Sequence, residues 1–167
     1  MKKYCLDTSG ISKPLEDMPN DIHSSLWEKF LVFAEAGNIA VTTEIFDELI
    51  LLPGVVGERI KVAKDNLVLE VADPIWTWQD YLDHSNRMQD DYHDFISEFT
   101  GGSSKTICLN DLSIVALAKT LRLPLVNMES FVPEQSPNKR RIPNICKYEG
   151  VVPLTFNVFL RNEGFKF

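Results

Sequence analysis

Four acidic residues stand where the chain passes from one element to the next: Asp7, Glu48, Asp111 and Glu129. Carboxylates brought together repel, by about 4 kcal/mol for a pair about 4 Å apart at an effective dielectric near 20. Either some protonate or a cation compensates them. Hard divalent ions with oxygen ligands suit such a set. Mg²⁺ takes one or two carboxylates, keeps several waters and accepts a substrate phosphate. A bound ion of this kind activates water and stabilises charge on a phosphoryl oxygen, and a second ion helps the leaving oxygen depart. The chemistry implied is phosphodiester hydrolysis. Each acid also has a plain structural use. Asp7 before Thr8-Ser9-Gly10 suits an Asx turn, Asp111 a helix cap with Asn110 as rival, Glu48 a surface position and Glu129 a loop.

What would join the four is a parallel sheet. Lys3 to Leu6 is a short apolar run stopped by Asp7, and reads as a buried strand. Helical spacing of Ile22, Leu26, Trp27, Phe30, Leu31 and Phe33 predicts a helix over 21–36, ended by Gly37-Asn38. A strand over 39–41 follows. Thr42 or Thr43 then caps a helix with Ile45, Phe46, Leu49 and Leu52 inward. Glu48 borders that apolar stripe, whereas Glu44 and Asp47 turn away from it. A helix is expected over 55–66, with 67–71 either strand or loop. A long amphipathic helical stretch is expected over 76–99, then a loop over 101–104. A helix over 111–122 turns Ile114, Val115, Leu117, Ala118 and Leu121 inward, with Asp111 on the line down its buried face. Strands over 124–127 and 152–155 and a closing helix over 156–162 complete the pattern. Strands separated by helices predict a parallel sheet covered on both faces, with ligands bound beyond the strand C-termini. Asp7 and Glu129 then leave the same edge.

Composition bounds the rest. The chain has 167 residues with 44% hydrophobic and 25% charged, ordinary for one globular domain and incompatible with wholesale disorder. No apolar run reaches the ~18 residues needed to cross a bilayer. Met1-Lys2-Lys3 looks like a signal-peptide start, but Asp7 breaks the apolar stretch almost at once, so a cytoplasmic location is expected. Cys5, Cys108 and Cys146 lie far apart without ligand spacing, which supports neither a disulfide framework nor a zinc knuckle. The net charge of −7 excludes strong nucleic-acid binding by bulk charge alone, and suits a basic protein partner equally.

The ordered set Leu6-Asp7-Thr8-Ser9, Ile45-Phe46-Asp47-Glu48-Leu49, Asn110-Asp111 through Ala118, and Leu125-Val126-Asn127-Met128-Glu129 resembles the PIN-domain nuclease superfamily, which includes the VapC-type toxins of toxin–antitoxin pairs. The stretch from Arg141-Ile142-Pro143-Asn144 to Gly150-Val151 looks like a less-studied branch of those proteins. The resemblance covers nearly the whole chain, 1–167, as a single PIN-like domain enlarged around 76–99. It implies a three-layer α/β/α fold with a central parallel sheet, Mg²⁺- or Mn²⁺-dependent RNA cleavage, a cognate antitoxin protein and a homodimer. By motif position, Asp7, Glu48, Asp111 and Glu129 match the family's four metal-binding acids, and Ser9 the small polar residue supporting them. Asn127 departs from the Thr common two residues before the fourth acid.

Other features are weighed against these. Lys139-Arg140-Arg141 is the densest basic cluster, either a clamp on an RNA backbone or a solvated loop. Trp76 and Trp78 read as inward-packing residues of the long stretch rather than base-stacking platforms. His23, His84 and His93 lack a catalytic partner. A haloacid-dehalogenase-like phosphotransfer domain would need an acid at position 9, where Ser9 stands. The remaining alternative to a nuclease is a PIN-like module that binds RNA or protein without cutting.

Overall fold

Tyr4, Cys5 and Leu6 are buried in succession, as a strand covered on both faces requires. This strand, β1 (Tyr4–Leu6), is one of four in the computed structural model, which describes residues 1–102, 106–137 and 139–166. The others are β2 (Ile39–Ala40), β3 (Leu125–Val126) and β4 (Pro153–Leu154), and the sheet order is β2-β1-β3-β4. All three pairings are parallel, with Cys5 opposite both Ala40 and Leu125 and Leu6 opposite Val126. The chain is a mixed α/β fold with this central sheet flanked by helices in an α/β/α layering.

The helices are α1 (Ser9–Asp17), α2 (Ser24–Phe33), α3 (Thr43–Leu49), α4 (Gly54–Val62), α5 (Lys64–Leu67), α6 (Trp78–Asp91), α7 (Leu109–Leu121), α8 (Ile142–Glu149) and α9 (Phe156–Asn162). Successive side chains of β1 face opposite sides. Tyr4 joins an aromatic cluster with Phe33 and Phe159, next to Trp27, Phe30 and Phe156. α7 is buried continuously from Leu112 to Ala118, which its apolar composition on all faces demands. It packs on β1 and β3 and carries α6 and α8 against its other sides.

Several expectations are revised. The turn read at Asp7–Gly10 runs straight into α1, which continues through Pro14 because Ile11, Pro14 and Leu15 bury its inner face. The helix over 21–36 begins only at Ser24 and ends in a π turn, Ala34–Asn38, where Gly37 adopts φ +79°. The helix over 55–66 breaks at Ala63 into α4 and α5. Of 67–71, only Val68 pairs, in a parallel bridge to Val41. The long stretch over 76–99 is not one helix: α6 stops at Asp91, a 3₁₀ turn occupies His93–Phe95, and Ile96 bridges Ile107. The expected loop over 101–104 falls partly outside the described residues. α8 had no counterpart in the sequence reading. Among the described residues no helix is long and apolar enough to cross a membrane.

Two contacts fix the layers around the sheet. Gly10 lets α1 lie directly on β3: a Cβ there would stand 2.7 Å from the Val126 carbonyl oxygen and 2.9 Å from Leu6 Cδ1. On the other side, Glu149 of α8 is buried and accepts from Arg87 Nη2 at 2.6 Å, Tyr92 Oη at 2.5 Å and Lys119 Nζ at 3.0 Å, so that one carboxylate ties α8 to α6 and α7.

Gly10→Ala is therefore expected to cost about 2 kcal/mol by overpacking against backbone that cannot yield, read as a lower midpoint in urea. The cations and the Tyr92 hydroxyl hold the Glu149 carboxyl down at about 2, despite its burial. A depressed carboxyl contributes stability above its unfolded value, and that contribution is lost as pH falls from about 5 toward 2. Glu149→Gln should remove about 2–3 kcal/mol at pH 7 and much less at pH 3, measured by urea titration at both pH values.

Candidate functional site

The parallel register of β1 with β3 sends both strands out at one edge, and the Asp7 amide donates to the Val126 carbonyl at 2.9 Å. Asp7 lies at that edge, only 4% exposed. Ser9, in the first turn of α1, donates to Asp7 Oδ2 from its amide at 3.0 Å and from its hydroxyl at 2.5 Å. The same hydroxyl accepts from the Met128 amide at 3.0 Å. Ser9 thus couples the first acid to the segment that carries the fourth.

Glu129 sits three residues past β3 and thirteen before the first residue of α8. Its amide donates to Asn127 Oδ1 at 3.2 Å, and its Oε2 accepts from the Ile142 amide at 2.9 Å. The buried Asn127 therefore supports Glu129 through its backbone, a role open to any short side chain with an acceptor oxygen. Asn144, fully buried, pins the intervening loop: it donates to the Val132 carbonyl at 2.7 Å and accepts from the Val132 amide at 3.1 Å.

Glu48 lies on α3, which starts at its Thr42 cap directly after β2. Its Oε2 accepts from the Thr8 hydroxyl, and its Oε1 from Asn110 Nδ2 at 2.7 Å. Asp111 is the third residue of α7 and completes a capping box: its Oδ2 accepts from the Cys108 amide at 2.9 Å. The cap itself is Cys108, neither Asn110 nor Asp111. Thr8, Cys108 and Asn110 were not foreseen as partners of the acids. Asn110 beside Asp111 was the one visible signal.

The electrostatics follow from this placement. Burial pushes the Asp7 carboxyl up to about 6 against the pull of Ser9, and the charges of Glu129 and Glu48 push it further the same way. Burial likewise raises Asp111 to about 7, opposed by the Cys108 amide and reinforced by Asp7 and Glu129. Asp7 is thus coupled to Glu48, Glu129 and Asp111, and Asp111 also to Glu129, and none of the four forms an ion pair with a Lys or Arg among the described residues. Lys13 approaches, but donates to the Met128 carbonyl at 3.2 Å. Asp7 and Glu129 each spend one oxygen on their positioning donors, and the other oxygen of each has no hydrogen-bond partner among the described residues. Hard oxygen donors, unpaired charge and free lone pairs fit a divalent cation. As they stand, no three His, Cys, Asp or Glu side chains among the described residues are gathered tightly enough to hold one.

The basic cluster divides. Arg140 is committed to its own loop: its guanidinium lies 4.4 Å from the centre of the Phe95 ring, and Nη1 donates to the Ser136 and Lys139 carbonyls. Its buried Nε has no partner among the described residues. Lys139 is exposed, and half-buried Arg141 caps α8 beside Glu129.

Residues 4–167 match the family model described as "Domain of unknown function (DUF4411)". The chain belongs to that family. No curated protein matches it. In this DUF4411 chain the match runs through every one of the four acids and both elements that were missed in the sequence, α1 and α8.

Because folding raises the Asp7 and Asp111 carboxyls above the unfolded range near 4, the folded chain binds more protons than the unfolded one between about pH 4 and 7, and stability falls as pH rises through that window. Asp7→Asn removes part of this cost. In EDTA its Tm should exceed that of the parent by roughly 5 °C at pH 7.5, with the difference vanishing near pH 4. Circular dichroism melts at the two pH values test this.

Proposed function

We propose that this chain is a Mg²⁺- or Mn²⁺-dependent endoribonuclease of the PIN type. The observation that supports the reading is the placement of Asp7, Glu48, Asp111 and Glu129 beyond the C-terminal edge of a parallel sheet, with Asp7 and Asp111 coupled to their acidic neighbours and no ion pair to a Lys or Arg among the described residues. Asp7, Glu48, Asp111 and Glu129 would hold the metal, which when bound supplies an activated water and neutralises charge developing on the phosphoryl group. Ser9 holds Asp7 with one oxygen free, and Thr8 and Asn110 fix Glu48 from two elements. Cys108 orients Asp111, and the Ile142 amide orients Glu129. Arg141 and Lys139, joined to Glu129 through the start of α8, draw the RNA backbone toward the acidic edge. An acidic protein of this chemistry fits the toxin of a toxin–antitoxin pair, cytoplasmic, held by a cognate antitoxin and paired as a homodimer.

A second reading has one observation in its favour. The acids are each tied to a separate donor and not gathered for a metal among the described residues, as a catalytically silent module that binds RNA or protein would allow.

Purified protein should cut single-stranded RNA with Mn²⁺ or Mg²⁺ and not in EDTA, leaving 5′ phosphates and 3′ hydroxyls. Asp7→Asn should abolish cleavage while retaining the fold, and Ser9→Ala should slow it roughly 10–100-fold, as expected for loss of a group orienting a metal ligand. A 2′,3′-cyclic phosphate end, or an Asp7→Asn protein that cuts normally, would overturn the proposal. RNA binding without cleavage on any substrate would select the second reading.

A further inference from the structure

Trp76 and Trp78 are partly buried and pack against the core, as expected, and with Tyr81 they form an aromatic group whose ring centres lie 5.3–5.4 Å apart. The Trp76 indole is fixed by donation to the Glu70 carbonyl at 2.9 Å, whereas the Trp78 indole N–H has no partner among the described residues. Between these rings and the start of α3 is a cavity of about 70 Å³, with Thr43 and Glu44 also on its wall. The wall is continuous with the carboxylate site. Thr42, which caps α3, shares a 3.0 Å hydrogen bond with Ser113, and Ser113 donates at 2.8 Å to the carbonyl of Asn110, the residue whose side chain holds Glu48. Glu44 and Glu48 are four residues apart on α3, so one turn, roughly 6 Å of helix, separates the cavity from the second acid.

We infer that this cavity is a nucleobase subsite, in which Trp76 and Trp78 stack a base of single-stranded RNA and Glu44 reads its edge. The inference rests on the ribonuclease reading for its ligand class. The cavity admits the edge of a base rather than a whole nucleotide, which leaves the ring to lie against the solvent-facing parts of the two partly buried indoles. Aromatic faces bind any base by stacking, and choice comes from hydrogen bonds to its Watson–Crick edge. A carboxylate accepts two hydrogen bonds side by side. Guanine alone among the four RNA bases presents two adjacent N–H donors on that edge. The subsite therefore selects guanine.

The test uses the intact protein in EDTA, where RNA stays uncut, with tryptophan fluorescence as the signal. Trp27 is fully buried and contributes a constant background. Two uridine hexamers, one carrying a single guanosine, are titrated alongside a hexa-arginine peptide. The guanosine hexamer should quench the fluorescence and bind at least tenfold more tightly than the uridine hexamer. Glu44→Gln, a surface change that leaves the melting temperature intact, should erase that preference, and Trp78→Ala should weaken both hexamers roughly tenfold. Equal binding of the two hexamers, no quenching by either, or quenching by the peptide alone would overturn the subsite. Guanine-independent cleavage in Mn²⁺ that Glu44→Gln does not alter leaves the nuclease and removes the subsite. Guanine-dependent quenching by a protein that never cuts does the reverse.

Discussion

A carboxylate removed from water without a counter-charge is unstable unless something else pulls on it, and Asp7 is in that position. It follows the first strand, is nearly inaccessible, and has hydrogen bonds from Ser9 but no ion pair among the described residues. Its neighbours worsen its situation, because Glu48 and Glu129 both bring negative charge. Asp111 is only partly buried, yet burial and the charges of Asp7 and Glu129 push its carboxyl the same way. The fold tolerates these costs because a large aromatic and aliphatic core surrounds the sheet on which the acids are mounted.

The same chain shows how it treats an acid that serves only the fold. Glu149 is also buried, yet Arg87, Lys119 and Tyr92 surround its carboxylate and stabilise the charge. That acid welds three helices together. The contrast separates a structural carboxylate, compensated by protein cations, from the acids beyond the strand C-termini, whose charge is left open.

Positioning at the open edge is shared among short, local hydrogen bonds. Ser9 links the loop after β1 to the segment after β3, and Thr8 and Asn110 bracket Glu48 between β1 and α7. Asn127 and the Ile142 amide hold Glu129 from both sides of a loop that Asn144 closes. Asp7 is therefore fixed by Ser9 two residues on, Asp111 by its own helix cap, and Glu48 and Glu129 by residues from other parts of the chain. The Thr42–Ser113–Asn110 hydrogen bonds extend that framework to the aromatic cavity beside α3.

The sequence by itself determined the alternation of strands and helices, and it singled out the acids at element ends. Apolar periodicity is local, so β1, α7 and α9 could be placed within a residue or two, whereas α3 ends at Leu49, short of the expected Leu52. It could not find α1, because Pro14 interrupts the usual helical signal and only packing against β3 at Gly10 compensates. Nor could it find α8, whose first turn is fastened by Glu129 from thirteen residues upstream and by its own Asn144. It read Trp76 and Trp78 as packing inward, and both do pack against the core, but spacing says only which residues share a face, not how far a neighbour covers them. The order β2-β1-β3-β4, the strand register and the partners of each carboxylate belong to the tertiary structure alone. Those contacts join residues tens to more than a hundred positions apart, and their energies depend on burial and distance, which a linear pattern does not contain.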